Sequence, residues 1–256
     1  MSYDARLYDL MTPVSFRGDV EGYRAEAERS GGPVLELGAG TGRITLDIAR
    51  AGIAVHALDA HPGMLEALRR KLAAETREVH DRVTVIEGDM RRFDLGERFP
   101  LIIAPFRVFL HNTTTEDQLA CLRSVRTHLR PDGRFVFNVF HPSLAYMAQN
   151  SGPLAGIWRW TNTVQQPEGG VVVRSEANRY DTVRQLVYSQ HRYDEYGADG
   201  TLIRSTLQQL ELAYLYAGDL RWLLSEAGFG TVDIAGGFDG QPVERDGDEL
   251  VVVAKP

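Results

Sequence analysis

A chain of 256 residues with 43% hydrophobic and 25% charged side chains is long enough to bury about three quarters of its unfolded surface in one large domain, without a disulfide or metal staple. Its net charge of −7 argues against a duplex-binding surface, because nonspecific nucleic-acid affinity comes largely from Lys and Arg neutralising phosphates. One cysteine (Cys121) cannot form an internal disulfide, no apolar run reaches the 18 residues of a membrane span, and Asp4 and Asp9 argue against a secretory signal, so the cytoplasm is the expected compartment.

From Pro33 onward, short β-branched runs alternate with helical patterns, the signature of a mostly parallel sheet covered by helices on both faces. Residues 33–38, 53–59, 83–88, 100–105 and 134–140 read as strands. They are too continuously apolar for a half-exposed antiparallel sheet, so both faces are expected to be buried. Between them the spacing predicts amphipathic helices. One carries Ile44, Ile48 and Ala49 and is opened by Thr41; the next carries Met64, Leu65, Leu68 and Leu72 behind Pro62. A third runs from Thr115 to Leu129, with Cys121 as a small core residue, and stops before a turn at Pro131-Asp132-Gly133.

Residues 142–170 break the alternation with Pro153, Pro167, several glycines, Trp158 and Trp160, and read as an inserted loop or lid. About three strand-like runs follow, at 171–180, 183–193 and 201–215, the last pair joined by a turn at Gly197 to Gly200. They form an expected antiparallel sheet over one edge of the site. The chain closes with a helix near Asp219 to Ala227 and two strands, TVDIAGG and ELVVVA.

The most informative stretch is VLELGAGTGR, residues 34–43, a strand ending in Glu36, three glycines at spacing two, and then a helix. Gly38 and Gly40 can take backbone angles that cost a side-chain residue of order 1 kcal/mol or more, and the missing Cβ leaves room for a ligand. A dinucleotide fingerprint also places glycines after its first strand, but it needs a third small residue where this chain has Arg43. Asp59 ends the next strand about twenty residues on, where a carboxylate can accept from both ribose hydroxyls. EGDMRRFD follows the third strand, and there Asp89 can accept from an adenine amino group while Met90 offers an apolar contact.

These three pieces, in this order and on these strand ends, resemble the class I S-adenosylmethionine-dependent methyltransferases over residues 1–141. The resemblance implies a doubly wound, mostly parallel seven-stranded sheet, Rossmann-like, with S-adenosylmethionine as cofactor. It implies cofactor contacts at Gly38, Ala39, Gly40, Asp59, Asp89 and Met90, with Glu36 supporting the loop. It extends that set to Tyr3, Arg43, Ala60, Met64 and Phe106. It also divides the chain into an N-terminal helical lid (1–32), a cofactor-binding core (33–141), an insertion covering the acceptor (142–215) and closing elements of the core (216–256). The YDARLYDLM start, the FLHNTTTEDQL helix entry and the added antiparallel strands are similar to bacterial methyltransferases that alkylate amines of aminodeoxysugars and peptide natural products. APFR stands after the fourth strand where adenine N6 methyltransferases carry NPPY, which lowers the case for a DNA base.

Methyl transfer is an in-line displacement in which the protein aligns a nucleophile and, where needed, takes its proton; no metal is required. Candidates belong on loops beyond the carboxyl ends of strands. Arg107 and His111 follow the fourth strand and His141 ends the fifth. His111 is the favoured base, with an ordinary imidazole pKa near 6.5. Tyr8 and Tyr3 lie on the helix that closes over the cofactor in the resembling enzymes, where an aromatic face attracts a sulfonium. Tyr180, His191, Tyr193 and Tyr214 can shape the acceptor pocket. The expected acceptor is a small molecule methylated on nitrogen or oxygen, with no nucleic acid or membrane partner and a homodimer left open. The alternatives are a noncatalytic module that only binds the cofactor, and a nicotinamide-dependent oxidoreductase.

Overall fold

β-Branched runs bounded by glycine and proline become strands, and the 3.6-residue patterns between them become helices, in a computed structural model that describes residues 4–12, 18–167 and 169–256. In chain order the first half comprises α1 (Ala5–Met11), α2 (Gly18–Ser30), β1 (Val34–Leu37), α3 (Arg43–Arg50), β2 (Val55–Asp59), α4 (Pro62–Leu72), α5 (Arg77–His80), β3 (Val83–Glu87), β4 (Phe99–Ala104), α6 (Thr115–His128) and β5 (Leu129–Phe140). The second half comprises α7 (Leu144–Ala148), β6 (Arg159–Gln165), β7 (Val171–Asp181), β8 (Leu186–Tyr196), β9 (Leu202–Ala213), α8 (Ala217–Glu226), β10 (Thr231–Ala235) and β11 (Glu249–Lys255).

Seven strands form one sheet in the order β10-β11-β5-β4-β1-β2-β3. All neighbouring pairs from β5 to β3 run parallel, and β11 is antiparallel to both β5 and β10. The expected doubly wound α/β sheet is therefore present. Leu35, Leu37, Phe135 and Phe137 pack on one face against Leu122 and Val125 of α6 and Leu223 and Leu224 of α8. On the other face Val34, Val55, Leu101 and Ile103 meet Tyr23 and Ala27 of α2 and Ile44 and Ile48 of α3. Helices on both faces explain why the central strands are apolar without alternation, whereas the edge strand β3 stays partly exposed. Cys121 is fully buried, and burial pushes its thiol up to about 12, which leaves it inert. The strand order reverses direction between β1 and β4, so a crevice opens beyond their carboxyl ends.

Two local expectations are corrected. The turn predicted at Pro131-Asp132-Gly133 lies inside β5, because Phe99 pairs with Leu129 and Leu101 with Arg134, so that four residues bulge out opposite Pro100. The inserted segment is also more than a loop. It holds α7, a 3-10 turn at Gly152–Leu154 and the strand β6. β6 joins β7, β8 and β9 in a separate four-stranded antiparallel sheet. Its sequence RWTNTVQ gives no apolar alternation because the strand lies at the edge with most side chains in solvent.

Candidate active site

The glycine loop leaves the carboxyl end of β1 and is fixed by its neighbour strand, with the Gly38 and Ala39 amides both donating to the Leu58 carbonyl at 2.8 and 3.0 Å. Gly38 has φ +68°, and a Cβ there would lie 2.2 Å from Val108 Cγ2. The missing side chain thus lets the 3-10 turn Val108–His111 press against the loop. Gly40 has φ +58°, and a Cβ there would meet Met64 Cε at 3.5 Å and the Gly38 carbonyl oxygen at 3.9 Å, both ordinary contacts. Its glycine serves the backbone conformation and leaves space beside Met64. Thr41 does not cap α3 as expected. Gly42 is the cap residue, and the Thr41 hydroxyl, fully buried, donates to Asp9 Oδ1 at 2.5 Å.

Asp59 ends β2 and faces the loop. Its Oδ2 accepts from the Gly40 amide at 2.8 Å and its Oδ1 from the His61 amide at 2.7 Å. Burial raises its pKa and these amides oppose the rise. With three backbone amides on about four lone-pair sites, the carboxylate can take a further donor. Ala60 is exposed, and its amide also supports the Asp59 carboxylate. Met64, in the first turn of α4, is buried, and the helix is capped by His61, whose Nδ1 accepts from the Met64 amide at 3.3 Å.

Glu36 is 2% exposed and accepts from the Thr45 hydroxyl at 2.5 Å. Burial pushes its pKa up to about 8, so it is protonated at neutral pH. Arg43 is held by both oxygens of the buried Asp19, at 2.7 and 2.6 Å. Its guanidinium lies 5.2 Å above the Phe106 ring and hydrogen-bonds Tyr8. Tyr8 meets Phe106 edge-on at 6.1 Å, and burial raises its phenol pKa. Tyr3 lies outside the described residues.

Beyond β3, Asp89 is gripped by Arg91, with Nε at 3.0 Å from both oxygens and Nη2 at 2.7 Å from Oδ2. That ion pair lowers the Asp89 pKa. Met90 is partly buried, and its sulfur lies 3.5 Å from Asn112 Nδ2.

The loop after β4 is strained. Phe106 and Arg107 have φ +54° and +64°, left-handed values that side-chain residues adopt only when held. Asn138 Oδ1 receives the Phe106 amide at 2.9 Å and the Tyr23 hydroxyl at 2.6 Å, while its Nδ2 donates to Glu249 at 2.5 Å. Arg107 closes this network with Nη2 at 2.6 Å from Glu249 Oε2, so it anchors the loop. His111 ends the 3-10 turn, where burial pushes its pKa down to about 4, well below the expected 6.5. His141 sits elsewhere. Its ring contacts the Arg245 carbonyl at 3.3 Å and the edge of Tyr216 at 5.9 Å.

Direct contacts tie Gly38, Ala39, Gly40, Asp59 and Met64 together at the glycine loop and join Arg43, Phe106 and Tyr8 in a cluster, with Glu36 within electrostatic reach of Arg43 and Asp59, while the turn that ends in His111 touches the loop through Val108. The sequence reading missed Asp9, Asp19, Asn138 and Glu249, which hold these groups from distant parts of the chain. With Glu36 protonated and Asp19 paired with Arg43, Asp59 is the carboxylate that offers negative charge to a ligand here.

A methyltransferase-domain family model matches residues 34–133. The chain is similar to the CcbJ methyltransferase of Streptomyces caelestis, at 26% identity with 98% of this chain and 95% of that one covered and a TM-score of 0.80. It is similar to the glycopeptide N-methyltransferase MtfA in complex with S-adenosyl-L-methionine, at 25% identity with 94% and 95% covered and a TM-score of 0.59. Over 113 residues it is 30% identical to a cypemycin N-terminal methyltransferase from a Streptomyces species, covering 44% of each chain. The chain spans 44 to 61% of the length of the first two curated relatives it matches.

Proposed function

We propose that this chain is a class I S-adenosylmethionine-dependent methyltransferase, as the methyltransferase-domain match and the similar methyltransferases support, and that it moves a methyl group to nitrogen or oxygen of a small molecule, with an amine favoured. The observation that carries this reading is the His111 turn seated against the glycine loop at Gly38. That contact, made by Val108, brings the turn that ends in His111 against the loop, and burial keeps the imidazole neutral. The crevice fits the cofactor by its own chemistry: space at Gly40, a spare lone pair and a negative charge on Asp59, and an apolar Met64.

When bound, S-adenosylmethionine supplies an electrophilic methyl carbon on a sulfonium. Asp59 would hold the ribose, the Gly38–Gly40 backbone and Glu36 the amino-acid end, and Asp89 and Met90 the adenine. Tyr8 and Phe106 cover the crevice with aromatic rings that exclude water and favour positive charge. With a pKa of about 4, His111 is about six units too weak to strip an alkylammonium near 10, a gap of about 8 kcal/mol. Its role on an amine is therefore to accept a hydrogen bond from the neutral nucleophile and aim its lone pair. Arg107 would hold the loop after β4 through Glu249, and the antiparallel sheet would shape the acceptor side. The net charge of −7 and one buried cysteine support a cytoplasmic enzyme acting on a small molecule, without nucleic acid. Among the described residues no helix is long and apolar enough to cross a membrane.

The test is incubation with S-adenosylmethionine labelled at the methyl group and a panel of amines and alcohols, read by mass spectrometry. Labelled product on an amine supports the reading. Tight S-adenosylhomocysteine binding without transfer to any acceptor points instead to a noncatalytic module.

A further inference from the structure

Strand alternation fixes which side chains share a face of the antiparallel sheet. Val172, Arg174 and Glu176 project to one side of β7, and the register sets Tyr193 opposite Arg174 and His191 opposite Glu176. Val172 and Tyr193 pack on Leu7 and Met11 of α1, so this side is the one turned inward. On β9, Gln208 stands beside His191. A polar row, Glu176, His191 and Gln208, therefore crosses three strands on a face where packing alone calls for apolar residues.

The hydrogen bonds within the row decide what it can bind. Arg174 Nη2 donates to Glu176 Oε2 at 3.3 Å and to His191 Nε2 at 3.2 Å, and the Ser189 hydroxyl lies 2.9 Å from the same ring nitrogen. A guanidinium only donates. His191 Nε2 must then be unprotonated, which makes the ring the neutral tautomer with its proton on Nδ1. Burial and the Arg174 charge hold its pKa down at about 3, so the ring is neutral at neutral pH. Both Glu176 oxygens already accept, Oε1 from the Tyr146 hydroxyl at 2.8 Å and Asn178 Nδ2 at 3.3 Å, and Oε2 from Arg174. Gln208 is only 6% exposed, yet its Nε2 has no partner among the described residues, and neither has the buried Arg174 Nε.

Two buried donors of the row are left open, Gln208 Nε2 and Arg174 Nε, and the tautomer puts a third donor, Nδ1–H, on the His191 ring. Buried donors without partners are costly, and a ligand that fills them regains that free energy. A hydroxyl ligand brings a proton of its own that needs an acceptor, and Glu176 has one lone pair left, on Oε2, so donors still outnumber acceptors here. A carbonyl or carboxylate brings only lone pairs. We propose that Arg174, His191 and Gln208 form a subsite on the inner face of the antiparallel sheet that binds a carbonyl or carboxylate oxygen of the methyl acceptor. This subsite deepens the methyl-transfer reading and rests on it only for the identity of its ligand.

The experiment follows the His191 ring by ¹H–¹⁵N NMR while acetate, acetamide or ethylene glycol is added to the full chain, with and without S-adenosylhomocysteine. A saturable shift with acetate or acetamide and none with ethylene glycol is expected, the tighter of the two reporting a carboxylate or a carbonyl. Gln208→Leu should weaken that response at least fivefold, and Gln208→Glu, which puts a carboxylate in place of the donor, should abolish acetate binding if the leucine variant fails to fold. No saturable shift with either oxygen ligand, an equal response to ethylene glycol, or an unchanged response in the Gln208 variants overturns the subsite. Failure of S-adenosylhomocysteine to bind in calorimetry overturns the cofactor reading alone, because the titration is read without it.

Discussion

At the scale of single residues, Asp59 and His111 carry the sharpest expectations. Asp59→Ala removes charge-assisted acceptors worth about 1.5 to 3 kcal/mol, so S-adenosylhomocysteine affinity should fall roughly ten- to a hundredfold. The same change frees the Gly40 and His61 amides. Calorimetry showing parent-like affinity would remove Asp59 from the site. For His111 the structure separates two roles that a sequence motif joins. A hydrogen-bond acceptor can be replaced by an amide oxygen, whereas a proton acceptor cannot. His111→Gln should therefore keep turnover of an amine within about tenfold of the parent, and His111→Phe should lose about a hundredfold or more. With the imidazole at about 4, the parent should show no His111-linked acid limb between pH 5.5 and 7.5. A limb centred near 6.5 that vanishes in the glutamine variant would restore His111 as a general base.

At the scale of elements, α1 acts as a strap between the cofactor loop and the antiparallel sheet. Seven residues are too few for a helix to be stable alone, so its contacts must hold it. Leu7 and Met11 pack on Val172 and Tyr193, and Arg6 meets Glu195 at 2.7 Å. On the other side Asp9 accepts from Thr41 at 2.5 Å and Lys71 at 2.7 Å. Asp9→Asn should speed hydrogen exchange in α1 and shorten the residence of S-adenosylhomocysteine several-fold, with little change in melting temperature because the core is untouched. Unchanged exchange protection would show that packing alone fastens the strap. This strap also marks the limit of what the sequence conveys. The three strand-end motifs were legible as candidates because the glycine loop, Asp59 and Asp89 each lie within a few residues of a strand terminus. Asp9 lies 62 residues from Lys71, Asp19 lies 24 from Arg43, and Arg107 lies 142 from Glu249. No local pattern encodes such pairs. The inward polar row of the antiparallel sheet was partly legible, since alternation puts Arg174 and Glu176 on the side of Val172. β6 was not, because an exposed edge strand needs no apolar residues.

At the scale of the whole molecule, three buried ionisable groups set how stability depends on pH. His111 and His191 have pKa values lowered to about 4 and about 3, against 6.5 in an unfolded chain. Between those values the unfolded state binds more protons, so each contributes stability that is present above 6.5 and is lost as pH falls. Glu36 works in the opposite sense. Its pKa of about 8, raised from 4.5, means the folded state holds the extra proton, and that contribution is present below 4.5 and is lost as pH rises through 8. Between 4.5 and 6.5 two histidines oppose one glutamic acid, so their net effect raises stability. Above 6.5 the histidine contributions are complete and Glu36 alone makes stability fall. The cofactor-free protein should therefore be most stable near pH 6.5 and weaken toward pH 8. Glu36→Gln keeps the shape of the protonated acid and cannot ionise, so it should hold its stability across that upper window while matching the parent near pH 5. Urea unfolding at pH 5, 6.5 and 8 checks this directly. A parent whose midpoint is flat from 6.5 to 8, or a glutamine variant that falls as steeply, would mean that Glu36 is ionised in the folded state and that the crevice meets its cofactor with one more negative charge.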